Sequence, residues 1–206
     1  MGYHRAGFDV VGVDIRPQRR YPFEFHQADA MTFPLGVFAA VHASPPCQEA
    51  SKLRRSLWPG REHADLIPAI RARLIASGLP YVIENVPGAV LFDPVTVCGS
   101  SVGLPVRRHR LFESNIPLMV PPCAHGMWPP RYRIRQHGRE FDTAVCYVFG
   151  GGPAGQPVAA RREAMGIDWM TRDELSQAIP PAFTEVIGGF LFDAIMGVSS
   201  ERLEWP

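Results

Sequence analysis

The sequence predicts an α/β fold with a mostly parallel sheet flanked by helices, and three observations carry that reading. Short apolar runs at 10–13, 37–41 and 79–83 lack the alternation of a half-exposed strand, so they read as strands buried on both faces. Each run ends abruptly in polar or turn-forming residues: Asp14, then His42-Ala43-Ser44-Pro45-Pro46, then Glu84. Helical periodicity stands between them, with Leu66, Ile67, Ile70 and Leu74 making one stripe that Gly78 closes. A chain of 206 residues is long enough for one such domain with a decorated edge.

Composition narrows the partners. Lys+Arg is 21 and Asp+Glu is 20, so no global basic field exists and any nucleic-acid contact must come from a local patch. Nearly all the cations are arginine, Lys52 being the single lysine. The cysteines (47, 98, 123, 146) show neither CxxC spacing nor a secretory leader, which points to a reduced cytoplasm. No apolar run approaches the ~20 residues of a membrane span. A monomer is expected.

Along the chain, residues 1–8 read as the end of a helix closed by Gly7. A strand over 9–15 follows and finishes at Asp14, which is either a ribose contact, as in nucleotide-binding α/β folds, or a strand-end turn residue. A further strand over 24–28 ends in Asp29. The run 37–41 then feeds a turn stiffened by Pro45 and Pro46, and the next residue is Cys47. A thiol on a rigid loop at the carboxyl end of a buried strand lies where open α/β sheets place their ligands, and as a thiolate it would be a nucleophile. Taken alone, Cys47 reads better as one more small buried residue, which is what free cysteines usually are.

Residues 49–60 form a polar loop with Lys52, Arg54, Arg55 and Trp58, and Asp65 is placed to cap the helix after it. Glu84 ends the strand at 79–83; an acid there is costly to bury unless paired. Arg108 and Arg110 alternate with His109 on one strand, and two arginines on one face need carboxylates, phosphates or a base. Arg131-Tyr132-Arg133-Ile134-Arg135 alternates basic with apolar before His137-Gly138, a hairpin strand whose basic face suits phosphate or plain solvent. Cys123 and His125, with Cys146, offer donors for zinc at a spacing unlike zinc motifs, and no metal is assigned. Residues 145–149 run into Gly150-Gly151-Gly152, which reads as a flexible loop rather than a cofactor cradle. A helix over 161–165 stops at Gly166, Thr171–Glu174 forms a capping box, and a last helix spans 181–196 with Phe183, Ile187, Leu191 and Ile195 inward. Gly188-Gly189 weakens that helix unless something approaches closely there.

Pro45-Pro46-Cys47-Gln48, Glu84-Asn85-Val86 and Arg108-His109-Arg110, in that order and at those separations, resemble the motifs of the DNA (cytosine-5) methyltransferases. The resemblance covers nearly the whole chain. Ser176-Gln177-Ala178-Ile179-Pro180-Pro181 is similar to that family's Gly-Asn-Ala-Val-Pro-Pro, with Ser-Gln for Gly-Asn, and Val106 stands where the family has glutamine. The resemblance implies a Rossmann-like fold that uses S-adenosylmethionine (SAM). Residues 1–8 match the stretch after the family's Phe-x-Gly-x-Gly loop, so the first strand of the sheet is expected to be missing. The catalytic domain would occupy 1–113 and 161–206, around a small target-recognition insertion at 114–160.

By the same resemblance, Cys47 is the nucleophile, Glu84 binds the cytosine edge, Asn85 fixes the loop geometry, and Arg108 and Arg110 complete the catalytic set. SAM contacts fall on Asp14, Ile15, Asp29, Ala30 and Pro46. Contacts to double-stranded DNA fall on Ser44, Gln48, Arg131, Arg133 and Arg135. The implied activity is methylation of cytosine carbon 5 in DNA, by a bacterial or phage enzyme of the restriction-modification kind; a restriction endonuclease partner is left open. Two other readings stand beside it: a catalytically silent DNA-binding remnant without the SAM cradle, and an RNA cytosine-5 methyltransferase.

Overall fold

The computed structural model describes residues 1–46, 65–126, 128–136, 138–148 and 156–197. Within it the runs at 10–13 and 79–83 give strands, but of the run at 37–41 only Val41 does: residues 37–40 precede the strand and Val37 is exposed, so the expected buried strand there is absent. Val11–Asp14 (β1) pairs in parallel with Glu24–Gln27 (β2), and Val41–Ala43 (β3) pairs in parallel with Tyr81–Asn85 (β4). The next two strands, Val95–Cys98 (β5) and His109–Ser114 (β6), are joined by a 3-10 turn over Gly99–Val102 and a short loop. Both of their pairings are antiparallel, β4 with β6 and β6 with β5, giving the order β3-β4-β6-β5. The four-stranded sheet is therefore mixed, not mostly parallel as expected. The reason is the connection: a parallel return needs a crossover of a dozen or more residues, and the link from Cys98 to His109 is shorter.

A second departure concerns continuity. Among the described residues β1 pairs only with β2, and β3 only with β4, so two sheets stand where one was expected. A cavity of about 170 Å³ is lined by Val11 and Val13 of β1 and by Val41, His42 and Ala43 of β3, with Phe33 and Leu74.

Residue alternation in β4 and β6 sends side chains to two faces, and a helix covers each. On one face Val82, Val97 and Phe112 pack against Phe183, Ile187 and Leu191 of the helix Pro181–Met196. On the other, Tyr81 and Ile83 meet Leu74 of the helix Ile67–Ser77, which ends at Gly78 in the left-handed conformation (φ +68°). Numbered in chain order, the helices are α1 (Gly2–Arg5), α2 (Ile67–Ser77), α3 (Val158–Met165), α4 (Arg172–Gln177) and α5 (Pro181–Met196). The expected capping box is present: Thr171 Oγ1 accepts from the Glu174 backbone, and the Glu174 carboxylate accepts from the Thr171 amide at 2.7 Å. A second core gathers Val106, Tyr132, Cys146, Val148, Ala164, Met165 and Leu175. It packs α3 and α4 against the hairpin of Tyr132–Gln136 (β7) and Arg139–Thr143 (β8).

The close approach that Gly188 needed is α1. A Cβ at Gly188 would lie 2.7 Å from the Ala6 methyl and 3.0 Å from the Tyr3 ring, whereas one at Gly189 meets open space. Alanine gains up to about 1 kcal/mol over glycine in a helix interior, and overpacking costs about 1–3 kcal/mol. Gly189→Ala should therefore stabilise and Gly188→Ala destabilise, a contrast that urea unfolding of the two variants checks directly. Equal shifts in the same direction would refute this packing.

Candidate active site

Glu84 is the centre of the site. It stands near the carboxyl end of β4, opposite Phe112 and diagonal to Arg110 on the same face of the sheet. Burial pushes its carboxyl up, and the guanidinium of Arg110 is the largest effect pulling it back down; a hydrogen bond from Ser44 adds to that. Arg110 Nε lies 2.8 Å from Glu84 Oε1, with side-chain exposures of only 13% and 7%. The acid that sequence reasoning marked as costly to bury is thus paired, as physical chemistry requires.

A hydrogen-bonded chain runs from Glu84 to the amino terminus. Ser44 Oγ lies 2.9 Å from His42 Nε2, and His42 Nδ1 lies 2.6 Å from the Tyr3 hydroxyl. Burial holds the Tyr3 phenol protonated and pushes His42 down to about 4. The tautomer follows from an ionised Glu84, which only accepts. Ser44 donates to Glu84, His42 Nε2–H donates to Ser44, and Tyr3 O–H donates to His42 Nδ1. Neither Tyr3 nor His42 was singled out from the sequence; the only local signal was a histidine inside an otherwise apolar strand, two residues before Ser44.

This chain carries a pH signature. The unfolded chain protonates His42 near pH 6.5, the fold resists until about pH 4, and the proton uptake therefore favours unfolding. Stability is complete above about pH 6.5 and falls as pH drops towards 4, by up to about 3 kcal/mol, less because the side chain is half-buried and partly screened. Urea unfolding across that window should show the slope in the parent protein and a flatter one in His42→Asn. An unchanged slope would assign the acid sensitivity elsewhere.

Asn85 holds the loop that follows β3. Its Nδ2 donates to the Pro45 carbonyl at 3.1 Å, and its Oδ1 accepts from the Val86 amide at 2.9 Å. Both prolines are described, Pro45 buried and Pro46 exposed. Cys47, Gln48, the loop 49–60 and Gly150-Gly151-Gly152 lie outside the described residues.

Arg108 is buried just before β6 and acts as a tether. It donates to the Val148 carbonyl at 2.5 Å and to the Ser176 carbonyl at 2.9 Å. It thereby ties the strand bearing Arg110 to the hairpin region and to α4.

Asp14 ends β1, and Asp29 lies two residues beyond its parallel partner β2. Asp14 accepts from the Arg16 amide at 2.8 Å and from Gln18 Nε2 at 3.0 Å, and Asp29 Oδ1 accepts from the Met31 amide at 2.8 Å. Both close local turns, yet each carboxylate has further acceptor positions. Ile15 is exposed beside Asp14, and Ala30 lines the cavity between β1 and β3.

The hairpin strand alternates as its period demands, Arg131, Arg133 and Arg135 outward, Tyr132 and Ile134 buried. Its outward face is not a bare cationic surface. Arg131 lies 2.5 Å from Glu163, Arg133 lies 3.2 Å from Asp142, and the register sets Arg135 opposite Glu140.

No protein-family profile matches the chain, and no curated protein does. Among solved structures, the crystal structure of a candidate DNA modification methyltransferase encoded within a prophage (E. coli) superposes with a TM-score of 0.57. Identity is 15%, over 93% of this chain and 94% of that one. The chain thus has the α/β fold of that protein, and the likeness speaks to the fold alone. Among the described residues no helix is long and apolar enough to cross a membrane.

Proposed function

We propose that this protein methylates carbon 5 of cytosine in double-stranded DNA, with SAM as methyl donor and Cys47 as covalent nucleophile. The observation that carries the reading is the Glu84–Arg110 pair at the end of β4, together with the Asn85 bond to Pro45, two residues before Cys47 in the sequence. Nucleophilic addition to a cytosine ring needs a thiolate and a carboxyl able to hold a proton, and burial shifts the Glu84 carboxyl upward. The similar fold of a candidate DNA modification methyltransferase supports the class of activity.

Carbon 5 of cytosine is a weak nucleophile and is stacked out of reach in a duplex. The base is flipped out, at a cost of a few kcal/mol. Glu84, ionised beside Arg110 in the free protein, takes up a proton as the base enters; the Cys47 thiolate then adds to carbon 6 while Glu84 passes that proton to nitrogen 3, so the electron pair gathers on carbon 5. Carbon 5 takes the methyl group, its proton leaves to a base, the carbon–sulfur bond breaks to release the Cys47 thiolate, and nitrogen 3 returns its proton to Glu84. Arg110 holds Glu84 in place, and Arg108 positions the strand that carries Arg110.

SAM would supply an electrophilic methyl. Asp14, Ile15, Asp29, Ala30 and Pro46 would hold it, the two carboxylates keeping acceptor capacity for its hydroxyl and amino groups. Residues 114–160 would form the target-recognition insertion between two parts of the catalytic domain, 1–113 and 161–206. Ser44, Gln48, Arg131, Arg133 and Arg135 would contact DNA, the arginines exchanging carboxylates for phosphates. Removing the competitors in Glu140→Gln/Asp142→Asn should then tighten DNA binding several-fold and steepen its salt dependence. Unchanged affinity would exclude this face from the interface.

The test of the reaction is product analysis. Duplex DNA incubated with the protein and SAM is digested and its nucleosides separated. 5-Methylcytosine is the expected product; methyl groups found on exocyclic nitrogens would overturn the assignment. The split between β1–β2 and β3–β4 favours one competing reading, a DNA-binding protein without methyl transfer. DNA binding without SAM binding by calorimetry would select it.

A further inference from the structure

The loop between β6 and β7 runs from 115 to 131 with no helix or strand among its described residues. Loops that long without their own secondary structure are uncommon in compact domains and need something to hold them. Part of the hold is apolar: Ile116, Leu118 and Val120 pack against the core beneath α5. The rest of the loop brings Cys123 and His125 back to the far edge of the four-stranded sheet.

There they meet two residues that the sheet has already paired. Cys98 ends β5, His109 begins β6, and the antiparallel register sets them directly opposite one another. Cys98 Sγ lies 3.2 Å from His125 Nε2, and Cys123 Sγ lies 3.4 Å from His109 Nε2. The four donor atoms all lie within 4.8 Å of one another. Tetrahedral zinc, with bonds of about 2.3 Å to sulfur and about 2.0 Å to nitrogen, sets each sulfur–nitrogen edge near 3.5 Å. Both measured edges sit close to that value.

We propose that Cys98, His109, Cys123 and His125 form a structural zinc site. Two thiolates and two neutral imidazoles balance the dication and complete a closed four-ligand set, which leaves no position for a substrate. The supporting contacts are those a metal site uses. Ser100 Oγ donates to Cys98 Sγ at 3.3 Å and accepts from the Ala124 amide at 3.1 Å, so one hydroxyl orients a ligand and pins the loop. Gly99 permits the turn after Cys98, because a Cβ there would fall 2.0 Å from the Val106 carbonyl oxygen. Cys146, the donor weighed from the sequence, lies instead in the second core, where its Sγ faces Gln156 Oε1 at 3.6 Å. The pattern escaped the sequence because Cys98 and His109 become neighbours only through strand pairing. Zinc here would clamp the 115–131 loop to β5 and to β6, the strand that carries Arg110. The inference stands whether or not the chain transfers methyl groups.

The test is metal analysis of the purified full chain, together with cobalt substitution. The expected result is one zinc per chain, and on exchange the visible bands and thiolate charge-transfer band of tetrahedral cobalt(II) with two sulfur ligands. Cys123→Ser and His125→Ala, both exposed, should lose the metal; Cys146→Ala should keep it; Ser100→Ala should weaken zinc about tenfold. Chelation of the parent protein should open the 115–131 loop to protease, which guards against variants that simply misfold. Protein with all thiols reduced that binds neither zinc nor cobalt stoichiometrically would overturn the proposal. So would a Cys98–Cys123 disulfide in a metal-free protein, or full zinc content in Cys123→Ser.

Discussion

Cys47→Ala is expected to abolish methyl transfer, by at least about three orders of magnitude, while DNA binding stays nearly intact. The asymmetry follows from roles. A nucleophile acts on the bound base, whereas affinity for DNA comes mostly from phosphate contacts elsewhere. Glu84→Gln should keep the shape and one hydrogen bond but lose proton donation, costing about 10²–10⁴ in kcat. Arg110→Leu should act through Glu84: with its strongest compensating charge removed, the carboxyl is pushed further up, and the pH–rate profile shifts to higher pH. Filter binding and a radiolabelled-methyl assay on the same preparations separate the two quantities. Equal loss of binding and transfer in Cys47→Ala would contradict the assignment.

The largest expected stability effect lies on the opposite face of the sheet, at Glu113. Arg71 Nε donates to Glu113 Oε1 at 2.6 Å and its NH2 to Oε2 at 2.7 Å, a bidentate pair in which Glu113 also accepts from the Phe92 amide at 2.8 Å. Arg71 lies over the Phe92 ring, 3.8 Å from its centre, and donates to the Val90 carbonyl. Glu113→Ala would leave a guanidinium and an amide buried without their acceptor. Breaking such a pair costs about 3–5 kcal/mol, or about 6–20 °C in Tm for a chain of this size. Replacing both partners by apolar residues of similar volume, Arg71→Met with Glu113→Leu, should recover most of that loss, because no charge is then stranded. A single variant that unfolds within about 1 kcal/mol of the parent would show that water reaches the pair, in contrast to the 3–5 kcal/mol of a sealed one.

What the sequence made legible was local. The bounds of α5, the Thr171 capping box and the inward and outward alternation of β7 each depend on residues a few positions apart, and each appears as expected. What it hid depends on pairing across the chain. The antiparallel return of β5 and β6 is decided by the length of their connection, and the buried apolar runs that suggested parallel strands give no direction by themselves. Arg71 belongs to the buried side of α2 only because Glu113, 42 residues later, meets it there; the helix period alone marks it as one polar residue among apolar neighbours. The basic face of the hairpin was readable, but its neutralisation needed the cross-strand register that opposes Arg133 to Asp142 and Arg135 to Glu140. In the candidate site, Glu84 was marked by its position at a strand end and Asn85 by the resemblance, whereas Tyr3 comes from α1, which packs on α5, and meets His42 of β3 across 39 residues of sequence.

The covalent step is the centre of this account, and a trapping experiment reaches it most directly. Duplex DNA carrying 5-fluorocytosine is incubated with the protein and SAM. Fluorine cannot leave carbon 5 as a proton does, so the thioether formed before methyl transfer cannot be released. The account predicts a denaturation-resistant protein–DNA complex that requires SAM, maps by mass spectrometry to Cys47 and is absent from Cys47→Ala. Methylation of unmodified DNA with no trapped complex, or a complex that survives Cys47→Ala, would contradict it.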